Sequence, residues 1–239
     1  MLNFKKLRLG IFGVLVLTVL VGLDTSVGAF PVNNSEYLHK EIKALWLEEE
    51  KAGESLFIKR MDRRLLKYED LFLSASKGVD FHWTLLAAIS YQESHWDPLA
   101  ISKTGVRGLM MLTQQTAKEM GVVKRTDPEQ SIKGGSLYFQ KIFNRFPETI
   151  PITDRTWMSL AAYNIGFSHI KDAREFTKRI GKDADNWQEV SKALLIKGKS
   201  GTISKTRAKE AIDYVNRVKL FYATLFLQEK LDSLTNLSS

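Results

Sequence analysis

Cysteine is absent from this 239-residue chain, which excludes a disulfide framework, a zinc ribbon, a thiol nucleophile and a lipid-modified N-terminal cysteine. Stability must come from packing, and nothing marks the chain as a lipoprotein. Proline is scarce at 5 residues and the 15 glycines follow no period, so neither a collagenous nor a proline-rich linker architecture applies. No stretch alternates apolar and polar residues convincingly with period two, the pattern a half-buried strand requires. The histidines His39, His82, His95 and His169 include no pair three or four residues apart, so metal-ligand spacing is lacking. Neither a nucleotide loop nor a Ser-His-Asp arrangement can be defended, and neither metal nor cofactor is implied.

Long hydrophobic runs are also lacking, with one borderline case. Lys5, Lys6 and Arg8 precede an apolar run from Leu9 to Leu23, which Asp24 interrupts; Val27 and Ala29 supply the small residues of a signal-peptidase site. That run falls short of the roughly 20 residues that comfortably span a bilayer. Residues 1–29 therefore read as a secretory signal peptide or an N-terminal membrane anchor, and either form exports the rest of the chain to the periplasm or cell envelope. Export makes nucleic acid an unsuitable partner for a chain whose net charge is +8. Residues from Ser191 to Leu220 alone hold eight basic and two acidic side chains. That segment is either a solvated helix face or a patch that meets acidic wall peptides or lipid head groups.

Helical periodicity, by contrast, is plentiful. Ile58, Met61, Leu65, Tyr68 and Phe72 recur at steps of three and four, and Leu38, Ile42 and Leu45 form a shorter stripe before Gly53. Residues 30–70 thus read as a helical lead-in. Asp80 is placed to cap a helix running to about Trp96, which ends at Asp97-Pro98, and a short helix begins after Thr113. Asp127, Pro128 and Gln130 make a capping-box start for a helix reaching Pro147, in which Gly134 and Gly135 suit close approach of a neighbour or ligand. Helices from about Arg155 to Ile165 and from about Lys205 to Gln228 complete an all-α reading. Residues 71–228 are expected to form the main domain and residues 229–239 a frayed tail.

One carboxylate is out of place. Leu86, Ile89, Glu93 and Trp96 fall on one helix face, yet no basic side chain lies three or four residues from Glu93 at Ile89, Ser90 or Asp97. An unpaired charge on an apolar stripe is costly. Glu93 is either satisfied by a basic partner distant in sequence or held as a neutral acid by a raised pKa.

The motifs Gln92-Glu93-Ser94, Trp96, Pro98, Ser102, Gly105-Val106-Arg107-Gly108-Leu109-Met110-Met111 and Ala162-Tyr163-Asn164-Ile165-Gly166 stand in the order and spacing of soluble lytic transglycosylase domains, which this chain resembles. Met110-Met111-Leu112-Thr113, Gln130-Ser131-Ile132-Lys133-Gly134-Gly135 and Pro147-Glu148-Thr149-Ile150-Pro151 are similar to the catalytic half of the F-type membrane-bound lytic transglycosylases. The resemblance covers about residues 62 to 222.

It implies a lysozyme-like helical fold with a glycan-binding groove, and peptidoglycan glycan strands as the partner. It also implies that Glu93 protonates the bond between N-acetylmuramic acid and N-acetylglucosamine, then takes the proton of the muramyl C6 hydroxyl as a 1,6-anhydro ring closes. Ser102, Met111, Tyr163, Asn164 and Tyr214 are the implied substrate-side residues. Ser102 would lie near the carboxyl or sugar, Tyr163 against the sugar or Glu93, Asn164 in a structural hydrogen bond, and Tyr214 toward Glu93. Their alternatives stay open: a turn serine for Ser102, core filling for Met111, an ordinary helix-end residue for Asn164 and a packed tyrosine for Tyr214. The stretch Ser204 to Lys209 departs from the F-type pattern, and Ala29 to Asp70 is too short for the solute-binding-like domain those relatives carry. Competing readings are a goose-type muramidase that uses water, and a wall-binding module without catalysis.

Overall fold

A computed structural model of the chain describes residues 35–46, 51–199 and 203–237. The expected signal or anchor, residues 1–29, lies outside the described residues. The helices are, in chain order, α1 (Ser35–Leu45), α2 (Lys51–Arg63), a 3-10 turn (Leu65–Lys67), α3 (Glu69–Ser76), α4 (Trp83–Ser94), α5 (Gln114–Glu119), α6 (Pro128–Phe143), α7 (Ile152–Ile165), α8 (Phe167–Arg179), α9 (Trp187–Lys199) and α10 (Lys205–Leu237). The fold is all-α; among the described residues the only β pairing is two isolated bridges, Ile101 with Arg107 and Arg107 with Leu112.

The chain divides into two units. The larger is Glu48–Tyr222; the smaller joins the described residues up to Trp46 with those from Ala223 onward. In the smaller unit Leu38 and Ile42 of α1 pack with Leu227 and Leu231 of α10, and Trp46 Nε1 donates to Thr224 Oγ1 at 3.2 Å. The end of the chain is therefore not a frayed tail as expected. Helix α10 continues to Leu237, and Leu231 is buried because its helical spacing from Leu227 puts both on the face that meets α1.

In the larger unit α4 is the central helix. Every residue from Trp83 to Tyr91 is buried, more than one amphipathic stripe provides. Phe57 of α2 is fully buried and packs its ring on Tyr91, Trp96 and Phe221, with centroids 4.7, 5.5 and 5.2 Å away. The expected division at residue 70 is consequently no boundary, since α2 shares the core of the larger unit. The stripe Ile58 to Phe72 is also not one helix: the 3-10 turn at Leu65–Lys67 splits it, and Gly53 lies inside α2.

Helix α6 starts as expected, with the Asp127 carboxylate accepting from Gln130 N at 3.0 Å and Pro128 in the first turn. The reciprocal half of a capping box is replaced: Gln130 Oε1 accepts from Val123 N and Lys124 N, tying down the preceding turn. Asp80 is not the cap of α4, which starts at Trp83; it exchanges two hydrogen bonds with Gln140 of α6 instead.

Helices α8 and α9 have no counterpart among the helices expected from sequence. Helix α8 comes after α7 with only Gly166, at φ 96°, between them, and buries just Ile170, Ala173 and Thr177 among charged residues. Ile170, Ala173 and Thr177 nevertheless recur at the helical steps of three and four, a narrow but genuine periodic signal.

Candidate active site

Glu93 sits in the last turn of α4, and the two residues after Ser94 both turn left-handed, His95 at φ 53° and Trp96 at φ 56°. Each such residue costs on the order of 1–3 kcal/mol. Burial holds the turn: Trp96 is fully buried and its Nε1 donates to Ala87 O at 2.9 Å. Arg64, in the turn just after α2, donates from Nη1 to His95 O at 3.0 Å, and Arg60 of α2 donates from Nη1 to Tyr91 Oη at 3.3 Å. A cation on the carbonyl end of α4 also suits the helix dipole.

Beyond this turn lies a loop without regular structure, fixed from several sides. Ser90 and Ser94 of α4 both donate to Leu109 O at 3.0 Å. Tyr163 of α7 donates to Met110 O at 2.7 Å, and Ser131 of α6 accepts from Met110 N at 3.2 Å. Gly135 is needed for this approach, since a Cβ there would lie 2.4 Å from Met110 Cβ. Gly108 combines φ +83° with a Cβ position 1.8 Å from Arg125 O, so no other residue fits. Met111 is forced to φ 48° within the same turn.

The loop brings Glu93 no basic partner. Its hydrogen bond comes from Tyr214 of α10, whose Oη donates to Glu93 Oε1 at 2.6 Å. Burial raises the Glu93 pKa from 4.5 to about 7, against the opposing effect of the Tyr214 hydrogen bond. Of the two readings, the neutral acid is the one the geometry supports. Tyr214 is itself buried, and burial followed by the Glu93 charge pushes its phenol well above the usual range. Burial and then Glu93 do the same to Tyr163. Helices α4 and α10 meet through Tyr91 against Phe221, Gln92 against Arg217 and Glu93 against Tyr214.

Among the expected site residues, Tyr214 meets Glu93 directly, and Tyr163 lies close enough to feel its charge while its hydroxyl fixes the loop. Met111 is half-buried in a left-handed turn, so it does not fill core. Ser102 does not reach the carboxyl. Its Oγ accepts from Thr104 N and Val106 N and also bonds Thr104 Oγ1, closing its own loop as a turn serine. Asn164 is exposed, and among the described residues its side chain forms none of the structural hydrogen bonds the resemblance implied. Asp97, the other nearby carboxylate, accepts from Leu99 N at 3.0 Å and so serves the turn. No cluster of three or more His, Cys, Asp or Glu side chains suited to a metal occurs among the described residues. One contact beside Glu93 went unread in the sequence: Arg217 Nε donates to Gln92 Oε1 at 2.9 Å.

The transglycosylase SLT domain family matches residues 70–186. The chain is 47% identical over 178 residues to membrane-bound lytic murein transglycosylase F of Alcanivorax borkumensis, covering 72% of this chain and 38% of the relative. It is 39% identical over 224 residues to the protein of the same name from Shewanella loihica, covering 83% and 47%. The chain thus spans less than half the length of these relatives. The crystal structure of the 70 kDa soluble lytic transglycosylase of Escherichia coli superposes with a TM-score of 0.51 at 24% identity, covering 81% of this chain and 28% of that one, which shows a shared fold. Through residues 70–186 the chain belongs to the transglycosylase SLT family.

Proposed function

We propose that this chain is a peptidoglycan lytic transglycosylase with Glu93 as its acid and base. The observation that carries the reading is the Tyr214–Glu93 pair at 2.6 Å, with the carboxyl held near pKa 7. Tyr214 donates to Oε1, so the acidic proton belongs on Oε2. From there it passes to the glycosidic oxygen as the muramyl C1–O bond breaks. The carboxylate left behind takes the proton of the muramyl C6 hydroxyl, whose oxygen bonds to C1 and closes the 1,6-anhydro ring, restoring neutral Glu93. A pKa near the working pH suits a group that must act in both directions.

Hydrolytic glycosidases usually pair two carboxylates across the bond. The engagement of Asp97 with Leu99 N supports a mechanism that needs only one. Tyr163 and Tyr214 position Glu93 and the loop, and half-buried Met111 is proposed to contact the glycan. The relatives are named membrane-bound, and we assign this chain to the cell envelope, reached through residues 1–29 as signal or anchor. Among the described residues no helix is long and apolar enough to cross a membrane.

Digestion of purified sacculi followed by mass spectrometry tests the reading. Muropeptides one water lighter than hydrolysis products are expected from the wild type and none from Glu93→Gln. Products of full hydrolytic mass would assign a muramidase instead. Binding without any product from the wild type would assign a wall-binding module.

A further inference from the structure

One side chain beside the site has chemistry that the transfer reaction does not use. Arg217 lies three residues after Tyr214 on α10, which places the two on the same helix face one turn apart. Its Nε is fixed by Gln92, the residue before Glu93, at 2.9 Å. The guanidinium is exposed, and no carboxylate among the described residues pairs with it; Asp213, one turn earlier, is not in ion-pair contact. An arginine held through Nε keeps four N–H donors on its two terminal nitrogens, arranged as a planar fork that matches a carboxylate. The Arg217 charge reaches the Tyr214 phenol, against the larger effects of burial and Glu93.

We propose that Arg217 binds a carboxylate of the stem peptide on the muramyl residue whose glycosidic bond is cleaved, and so selects strands that carry acidic stems. The inference rests on the reaction proposed above, because it places an anionic substituent of the sugar next to Glu93. Gln92 serves as the bracket that aims the fork. An exposed lysine would supply charge without that orientation, so Arg217→Lys is expected to retain only part of the effect.

The test separates binding from turnover. In the full-length Glu93→Gln chain, binding is compared for glycan fragments with free stem carboxylates and for fragments with every stem carboxylate amidated. The free-acid fragment should bind five- to tenfold more tightly. Adding Arg217→Gln should remove that difference, and Arg217→Lys should restore part of it. In otherwise wild-type protein, Arg217→Gln should raise KM for the free-acid fragment by the same factor while largely keeping kcat. Equal affinity for the two fragments, or a preference that survives Arg217→Gln, overturns the proposal. So does a loss of kcat that is the same for both fragments with binding unaltered, which would make Arg217 a brace for α4. A carboxylate-dependent affinity in a wild-type chain that forms no anhydro product supports the Arg217 site and overturns only the transfer reaction.

Discussion

At the scale of single residues the energetics centre on Glu93. Burial places its folded pKa at about 7, above its ordinary value of 4.5, and Tyr214 offsets only part of that rise. The ionised form is the one that is penalised. The penalty is fully present above the folded pKa and vanishes below the unfolded one. Each pKa unit corresponds to about 1.4 kcal/mol, so a rise from 4.5 to about 7 makes the charge cost the fold roughly 3 kcal/mol at pH 8. Glu93→Gln should therefore be inactive yet more stable than wild type by that amount at pH 8, with the gap closing by about pH 4. Thermal melts across this range check the prediction; a variant less stable at every pH would mark Glu93 as a structural carboxylate. The anomaly of Glu93 was legible in sequence because an unpaired acid interrupted an apolar stripe. Its partner Tyr214 was legible only through the family motif, because it lies 121 residues away in sequence. Ser102 Oγ is engaged within its own loop and not with Glu93, a distinction invisible in sequence, since a serine near a glycine turn looks the same in either setting.

Among the elements, the loop between α4 and α5 depends on backbone freedom at particular positions. Gly105 and Gly108 have nearly equal φ, +80° and +83°, but a Cβ at Gly105 meets nothing within 4 Å while one at Gly108 runs into Arg125 O. Gly105→Ala should cost about 1 kcal/mol from the left-handed conformation alone. Gly108→Ala should cost at least 2–3 kcal/mol more and lower turnover, because the loop must move off the Ser90 and Ser94 hydroxyls. Chemical denaturation of the two variants reads the difference; equal costs would contradict the close approach of Gly108 to Arg125 O. The need for close approach at Gly134 and Gly135 was legible, since two glycines in a capped helix interior require a reason. The neighbours were not legible, because Val122 and Met110 reach them through tertiary folding. Helices α8 and α9 do carry a helical period, Ile170, Ala173 and Thr177 in α8 and Trp187, Val190 and Leu194 in α9, but each stripe is short and set among charged residues.

For the molecule as a whole, the basic residues of Ser191 to Leu220 are used unequally. Lys192 pairs with Glu189, Lys197 lies over the Phe176 ring and Lys219 over Trp157, whereas Lys205, Arg207, Lys209 and Arg217 are exposed on α10. These exposed cations are expected to give an electrostatic hold on acidic peptidoglycan. Sacculus binding should weaken as the Debye length falls from about 10 Å at 0.1 M salt to about 3 Å at 1 M. Pull-downs of equal efficiency at the two salt levels would contradict that. The division into two units was not legible, because Phe57 joins α2 to α4 and α10 through contacts with residues 34 to 164 positions away in sequence, and the Leu231 stripe has no meaning until α1 is beside it.

The proposed role of Glu93 requires a carboxylic acid held neutral almost to physiological pH, so that it can give and then recover a proton. An NMR titration of chain labelled with 13C at the glutamate carboxyls, with the Glu93 resonance identified as the one missing from Glu93→Gln, measures this directly. A midpoint near pH 7 is expected. A midpoint at the ordinary glutamate value of about 4.5 or below would contradict the account, because Glu93 would then be ionised when it is required to act as an acid.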